Sequence, residues 1–262
     1  MPNYYLEMKI SDGLNQAAIP KTTFNYISGF SVLSLAKGRE FVLKSDENET
    51  GLNIFGGSCD ITIGGRVYKN LGKRESVFGG LPTGVYIPKG ESFTVMSKGV
   101  EIGICSAKCE KSTDFAVIEP SEVKVMQVGK ENWSREVRMI IGSNSPSVNL
   151  LLGETMNPPG NWSGTPPHKH EKSNLPVESL HEELYYFKTD NPDSFGVERL
   201  YSPEKKVNEF IHLKNNTVTL MPWGYHQIVA APGYFLYYMF FLSGEGKELK
   251  GLVDPAHSWL IK

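Results

Sequence analysis

Apolar residues in this chain come in short runs. Val85-Tyr86-Ile87, Phe93-Thr94-Val95 and Thr217-Val218-Thr219-Leu220 are typical, each rich in β-branched or aromatic side chains. Turn signals such as Gly64-Gly65, Gly79-Gly80 and Asn215-Asn216 punctuate them. Runs this short, with turns this frequent, predict strands assembled into a sandwich or barrel. Helical periodicity is nearly missing; the stretch Ser202 to Phe210 alone suggests a short helix.

One pattern occurs twice. Tyr86-Ile87-Pro88-Lys89-Gly90 leads into Ser92-Phe93-Thr94-Val95, and Leu220-Met221-Pro222-Trp223-Gly224 leads into His226-Gln227-Ile228-Val229. Both read as an apolar pair, a Pro-x-Gly turn, then a β-rich run. The two copies sit about half a chain apart, which suggests two similar barrels in tandem. The expected division is an N-terminal barrel over residues 1–125 and a C-terminal barrel over 126–262, near Ile118-Glu119-Pro120. Aligning the prolines sets Ser92 opposite His226. All six histidines lie at position 168 or later, so the N-terminal barrel is expected to lack metal ligands.

Composition narrows the function classes. The 262 residues are 40% hydrophobic and 21% charged, which is ordinary globular usage. Lys and Arg total 27 against 29 Asp and Glu, a net charge of −2. Such a chain has no bulk field for gripping nucleic acid or an anionic membrane. Its most apolar run, Phe235 to Leu242, falls far short of the ~20 residues of a membrane helix. The opening MPNYYLEMKI lacks the basic and apolar regions of a signal peptide. Cys59, Cys105 and Cys109 form no CxxC, so a reduced, cytoplasmic protein is the expectation. No Gly-rich run feeds a helix, so no nucleotide cofactor is expected.

The segment Pro166-Pro167-His168-Lys169-His170 carries the clearest chemistry. Two prolines favour an extended chain. In a strand, residues i and i+2 share a face, so His168 and His170 project together while Lys169 points away. A carboxylate follows in Glu182-Glu183-Leu184-Tyr185, where alternation lets only one of the two acids face inward. His226 stands at the second Pro-x-Gly turn. Two His, one carboxylate and a third His make a site for Zn²⁺, Mn²⁺ or Fe²⁺ with positions open to substrate. His181, His212 and His257 lack such a context and read as structural or surface residues.

This HxH…Glu…His order resembles the cupin superfamily, small β-barrels that hold a metal inside. A finer resemblance is to the two-cupin 5-deoxy-glucuronate isomerase family of inositol catabolism. It rests on Pro158-Pro159-Gly160-Asn161-Trp162-Ser163, Pro167-His168-Lys169-His170, Asn174-Leu175-Pro176 and Glu182-Glu183-Leu184-Tyr185-Tyr186. Gly224-Tyr225-His226, Ala230-Ala231-Pro232-Gly233-Tyr234 and Asp254-Pro255-Ala256-His257-Ser258-Trp259 extend it. Gly72-Lys73-Arg74-Glu75-Ser76-Val77-Phe78 carries it into the first half. Generic cupins place the acid three or four residues after the second histidine. Here residues 171–182 intervene, and that longer spacing is itself similar to the isomerase family.

The resemblance implies an all-β fold of two tandem cupin barrels (double-stranded β-helix, or jelly-roll). It implies a divalent metal held by His168, His170, Glu183 and His226. The implied reaction is aldose–ketose isomerisation of 5-deoxy-D-glucuronate to 5-dehydro-2-deoxy-D-gluconate. A side chain must then move a proton between two adjacent carbons, and Tyr185, Lys169 and Glu182 are the candidates. Tyr185 shares the face of Glu183 and leads. The partner is a small sugar acid whose carboxylate needs a cation; Arg199 and Arg74 are the candidates. A homo-oligomer built through sheet edges is left open. The competing readings are another uronate isomerase, an Fe²⁺ dioxygenase on the same ligands, and a non-catalytic sugar-binding bicupin.

Overall fold

The computed structural model describes residues 4–261; the outermost ends of the two expected barrels, residues 1–3 and 262, lie outside them. Strand follows strand along the chain. They are β1 (Tyr5–Glu7), β2 (Gly13–Gln16), β3 (Ile27–Leu35), β4 (Glu40–Lys44), β5 (Asn48–Ile63), β6 (Arg66–Leu71) and β7 (Thr83–Ile87). Next come β8 (Ser92–Lys108), β9 (Ala116–Ile118), β10 (Lys124–Val128), β11 (Arg135–Ile141), β12 (Leu150–Asn157), β13 (Trp162–Lys169) and β14 (Glu171–Asn174). The last are β15 (Glu178–Thr189), β16 (Gly196–Ser202), β17 (Val207–Leu213), β18 (Thr217–Met221), β19 (Tyr225–Ala230), β20 (Leu236–Gly244) and β21 (Leu252–Val253). Helix among the described residues is limited to short 3₁₀ segments, and no helix is long and apolar enough to cross a membrane. This is the all-β fold the sequence predicts, built of antiparallel sheets.

The short helix expected over 202–210 is instead a hairpin. β16 ends at Ser202, a turn follows with Lys206 at φ +55°, and β17 resumes at Val207. Ser202 pairs with Val207 across it. Pro203 and the left-handed Lys206 turn the chain, and the charged run that resembled a helix face is a solvated turn.

The strands sort into two compact units that interleave where the sequence places a single cut between 125 and 126. The first comprises β1, residues 125–137 and everything from Gly153 onward; the second comprises Met8–Lys124 and Arg138–Leu152. A buried acid explains why 138–152 belongs to the second unit. Glu49 is fully buried, and its carboxylate accepts the backbone N–H groups of Val148, Asn149 and Leu150 at 2.7, 2.7 and 2.9 Å. The Tyr86 hydroxyl donates to it at 3.0 Å. Breaking this cluster would leave a buried charge unpaired, which costs several kcal/mol.

In the second unit β5 and β8 form the spine of an eight-stranded antiparallel sheet, and Leu52, Ile54, Ile61, Val85, Ile87 and Val95 fill its interior. In the first unit β17-β16-β19-β13-β21 form a five-stranded sheet, and β18, β15 and β20 lie side by side in a second sheet. Both Pro-x-Gly turns occur as expected: Gly90 follows β7 at φ +87° and Gly224 follows β18 at φ +94°.

Candidate metal centre

The histidine pair sits at a break in β13. Ser163 pairs with Ile228 and His168 with His226, so residues 164–167 bulge opposite Gln227 alone. Pro166 and Pro167 donate no backbone hydrogen bond, and a bulge is where a strand tolerates that. Gly164 closes it at φ +66°, where a Cβ would lie only 3.1 Å from the His226 carbonyl oxygen. Beyond the bulge His168 stands directly across from His226, and His170 follows β13 on the face of His168. Glu183 arrives from β15, in the other sheet of this unit.

These four residues converge. The coordinating nitrogens of His168, His170 and His226 all lie within 4.8 Å of one another. Glu183 Oε2 is 3.1 Å from Nε2 of both His170 and His226. His168 is half-buried and the other three are buried.

Each ring is oriented by a peptide oxygen. Nδ1 of His168 faces the Pro166 carbonyl at 3.2 Å, that of His170 the His181 carbonyl at 2.7 Å, and that of His226 the Gly224 carbonyl at 3.3 Å. A carbonyl only accepts, so each Nδ1 carries the hydrogen and each Nε2 presents a lone pair. His226 Nε2 is buried and makes no hydrogen bond among the described residues. Two donor atoms bound to one ion at about 2.1 Å and at right angles are about 3.0 Å apart. The separations to Glu183 therefore fit a divalent cation.

The protonation states fit as well. Burial, and then His226 and His170, push His168 down to about 3, so it is neutral. Burial opposes ionisation of Glu183, but the neighbouring His170 and His226 outweigh it and hold the carboxyl below the usual range. Burial also disfavours a charged His170, yet Glu183 outweighs it and raises that imidazole. A proton is thus the ion's competitor at the His170–Glu183 pair.

The remaining expected residues separate by face. Tyr185 is buried on the Glu183 side of β15, its ring 5.8 Å from that of His226. Burial, reinforced by the Glu183 charge, raises its phenol well above the ordinary value. Lys169 is turned away by strand alternation; its Nζ bonds Glu171 Oε1 at 2.5 Å and lies over the Tyr225 ring. Glu182 is buried, one residue from Glu183 and hence on the opposite face of β15. Arg199 occupies the outer face of β16, stacked 4.0 Å over Tyr201 and bonded to Asn208 Oδ1 at 2.8 Å. Arg74 lies in the second unit, buried, donating to the Ile54 and Gly80 carbonyls and Asn53 Oδ1, each at 3.2 Å. His181 is a structural histidine held by Ser179 and the Gly246 carbonyl.

Two residues escaped the sequence reading. Glu198 is fully buried on β16, on the face of Leu200, the cross-strand partner of His226. The Thr219 hydroxyl lies close, yet neither it nor either Glu198 oxygen has a hydrogen-bond partner among the described residues. Burial pushes this carboxyl up to about 8, against the pull of Thr219 and with the Glu183 charge adding to it. Strand alternation was the available signal: if Leu200 faces in, so does Glu198, and Arg199 faces out. The second residue is Arg135, buried at the head of β11.

Known proteins resemble this one over nearly its full length. Proteins named 5-deoxy-glucuronate isomerase share 34% identity in Geobacillus thermodenitrificans, across 89% of this chain and 86% of that one. The Bacillus velezensis protein of the same name shares 32%, across 97% and 96%. The crystal structure of an IolB-like protein from Salmonella typhimurium superposes with a TM-score of 0.94 at 26% identity, covering 100% of both chains. An oxalate decarboxylase structure matches at TM-score 0.66 and 11% identity, over 97% of this chain and 80% of its own, which speaks to the fold alone. The family model of KduI/IolB proteins matches residues 6–260, and the chain belongs to that family.

Proposed function

We propose that the protein is a metal-dependent aldose–ketose isomerase that converts 5-deoxy-D-glucuronate to 5-dehydro-2-deoxy-D-gluconate in inositol catabolism. The observation that carries this reading is the convergence of three imidazole lone pairs and one ionised carboxylate, in a chain whose relatives bear that enzyme's name. His168, His170, Glu183 and His226 would hold Zn²⁺, Mn²⁺ or Fe²⁺, all compatible with imidazole and carboxylate donors. When bound, the ion supplies Lewis acidity to the substrate's carbonyl and neighbouring hydroxyl.

The chain's own residues do the rest. Isomerisation removes the proton from C2 and returns one to C1. Tyr185 keeps its proton at neutral pH and so serves as a hydrogen-bond donor rather than a base. Glu198 holds a proton with an affinity near neutral, which is where a group that both takes and gives one works best. Lys169 and Glu182, on the far faces of their strands, support the site instead of entering it.

The test is NMR observation of 5-deoxy-D-glucuronate with the protein as purified, after chelation, and after return of each metal. Turnover that chelation abolishes and a divalent ion restores is the expected result. Metal-loaded protein that leaves the sugar unchanged overturns the assignment.

A further inference from the structure

Arg135 is a buried cation whose hydrogen bonding is incomplete. Its side chain is mostly withdrawn from solvent, with 8% of the residue exposed. Nη1 donates to the Trp133 carbonyl at 3.1 Å, but Nε has no partner. No carboxylate forms an ion pair with it among the described residues. A guanidinium removed from water without a counter-ion is costly, and a buried donor left unmade costs more. Arg74 and Arg199 differ: the first donates to three protein oxygens, and the second is stacked and bonded on an outer face.

Its position connects it to the metal centre. The Arg135 charge acts on the phenol of Tyr238, lowering it against the rise that burial causes. Tyr238 pairs with Phe187 across β20 and β15, so it shares the face of Glu183 and Tyr185. Its hydroxyl shares a short hydrogen bond with Ser163 Oγ on the facing sheet. The Tyr238 ring is 4.8 Å from Tyr185, and Tyr185 is 5.8 Å from His226. β11, which begins at Arg135, lies two strands from β20 and three from β15 in the same sheet. Thr155, on β12, lies beside Tyr238. Two residues along the same strand, Asn157 buries an amide oxygen with no partner.

We infer that Arg135 binds the carboxylate of the sugar-acid substrate, at the end of the molecule opposite the reacting aldehyde. The inference rests on the isomerase reading for the identity of that acid. The guanidinium fork matches a carboxylate with two parallel hydrogen bonds. An open-chain sugar acid carries its carboxylate at the end opposite its aldehyde, so it needs a second anchor apart from the metal ligands. Asn157 Oδ1 is an acceptor for a hydroxyl of the same chain.

Calorimetric titration of the metal-loaded protein decides it, using 5-deoxy-D-glucuronate and the neutral sugar in which a hydroxymethyl replaces the carboxylate. Wild-type protein is expected to bind the acid at least about 10-fold more tightly than the neutral sugar. R135A should lose about 100-fold in affinity for the acid, change by less than about 3-fold for the neutral sugar, and keep its metal. R135K should fall between. Equal wild-type affinity for acid and neutral sugar, no binding of the acid, or an equal loss for both sugars in R135A overturns the anchor. Should R135A fail to fold, the wild-type preference and R135K decide: a preference for the acid that R135K leaves unchanged also overturns it. Turnover of the acid by wild-type protein, read in parallel by NMR, judges the isomerase reading separately.

Discussion

The two units fill the space within their sheets in opposite ways. The second packs Leu52, Ile54, Ile61, Val85 and Ile87 into a dry interior with essentially no exposure. The first buries His170, His226, Glu183, Glu198, Thr219, Ser163 and Arg135 in its interior. The turns that lead into them are alike, Pro88-Lys89-Gly90 and Pro222-Trp223-Gly224. After the first, Ser92 is exposed; after the second, His226 is almost fully buried. The same local chain geometry thus serves stability in one unit and chemistry in the other. The cost of the second choice is visible as buried atoms without partners, each worth about 1–3 kcal/mol. Glu198, Thr219, Arg135 and His226 carry them in the first unit.

That contrast can be broken from the polar side first. His170→Ala removes a metal ligand and leaves Glu183 buried with one fewer partner; activity should fall about 1,000-fold or more, with metal content by atomic absorption falling alongside. Glu198→Gln keeps the shape and removes the titrating proton, and kcat should fall about 100-fold with metal retained. Glu198 also sets a pH dependence. Its folded carboxyl titrates at about 8 and its unfolded one at about 4.3. Between those values the folded state holds a proton the unfolded state lacks, so its contribution to stability falls as pH rises through that window. The melting temperature of metal-free protein should decline less steeply from pH 5 to 8 in Glu198→Gln than in wild type.

From the apolar side the response is of another kind. Leu52→Ala opens a cavity and should cost about 2–5 kcal/mol in urea unfolding, with kcat per folded molecule unchanged. Gly251→Ala is finer. A Cβ there would meet the His168 ring at 2.7 Å, beside the strand that pairs with His168. Metal affinity should drop about 10-fold, measured by competition with a chelator. Smallest of all is Arg199→Ala, on the outer face, where kcat/KM should change less than about 2-fold.

The metal ligands were legible because period-2 alternation and a Pro-x-Gly turn are local rules. His168 and His170 share a face whatever the rest of the chain does, and His226 is placed by the turn before it. Glu198 and Arg199 differ by one step in register, and a charged residue on a strand is assigned outward by default. Only the pairing of Leu200 with His226 reverses that assignment, and pairing is a long-range fact. Arg135 was invisible for the same reason: residues 125–137 belong to this unit through contacts that no local pattern records. The span 138–152 likewise joins the second unit through distant partners: Glu49 holds its backbone, Arg138 donates to the Gly80 carbonyl, and Ile140 packs on Gly84.

The carbonyls behind the three imidazoles have a consequence for how this centre can change over evolutionary time. Where a metal-binding histidine leans on a neighbouring carboxylate, substitution of that neighbour typically costs 10- to 100-fold in affinity or activity, roughly. Here Pro166, His181 and Gly224 contribute only peptide oxygens, and every amino acid has one. The imidazole orientations are therefore shielded from side-chain drift behind them, save at Gly224, whose φ of +94° favours glycine. Selection acting on metal preference is left with Glu183 and the cavity wall, and the histidines can stay fixed while the sugar they serve is renegotiated around them.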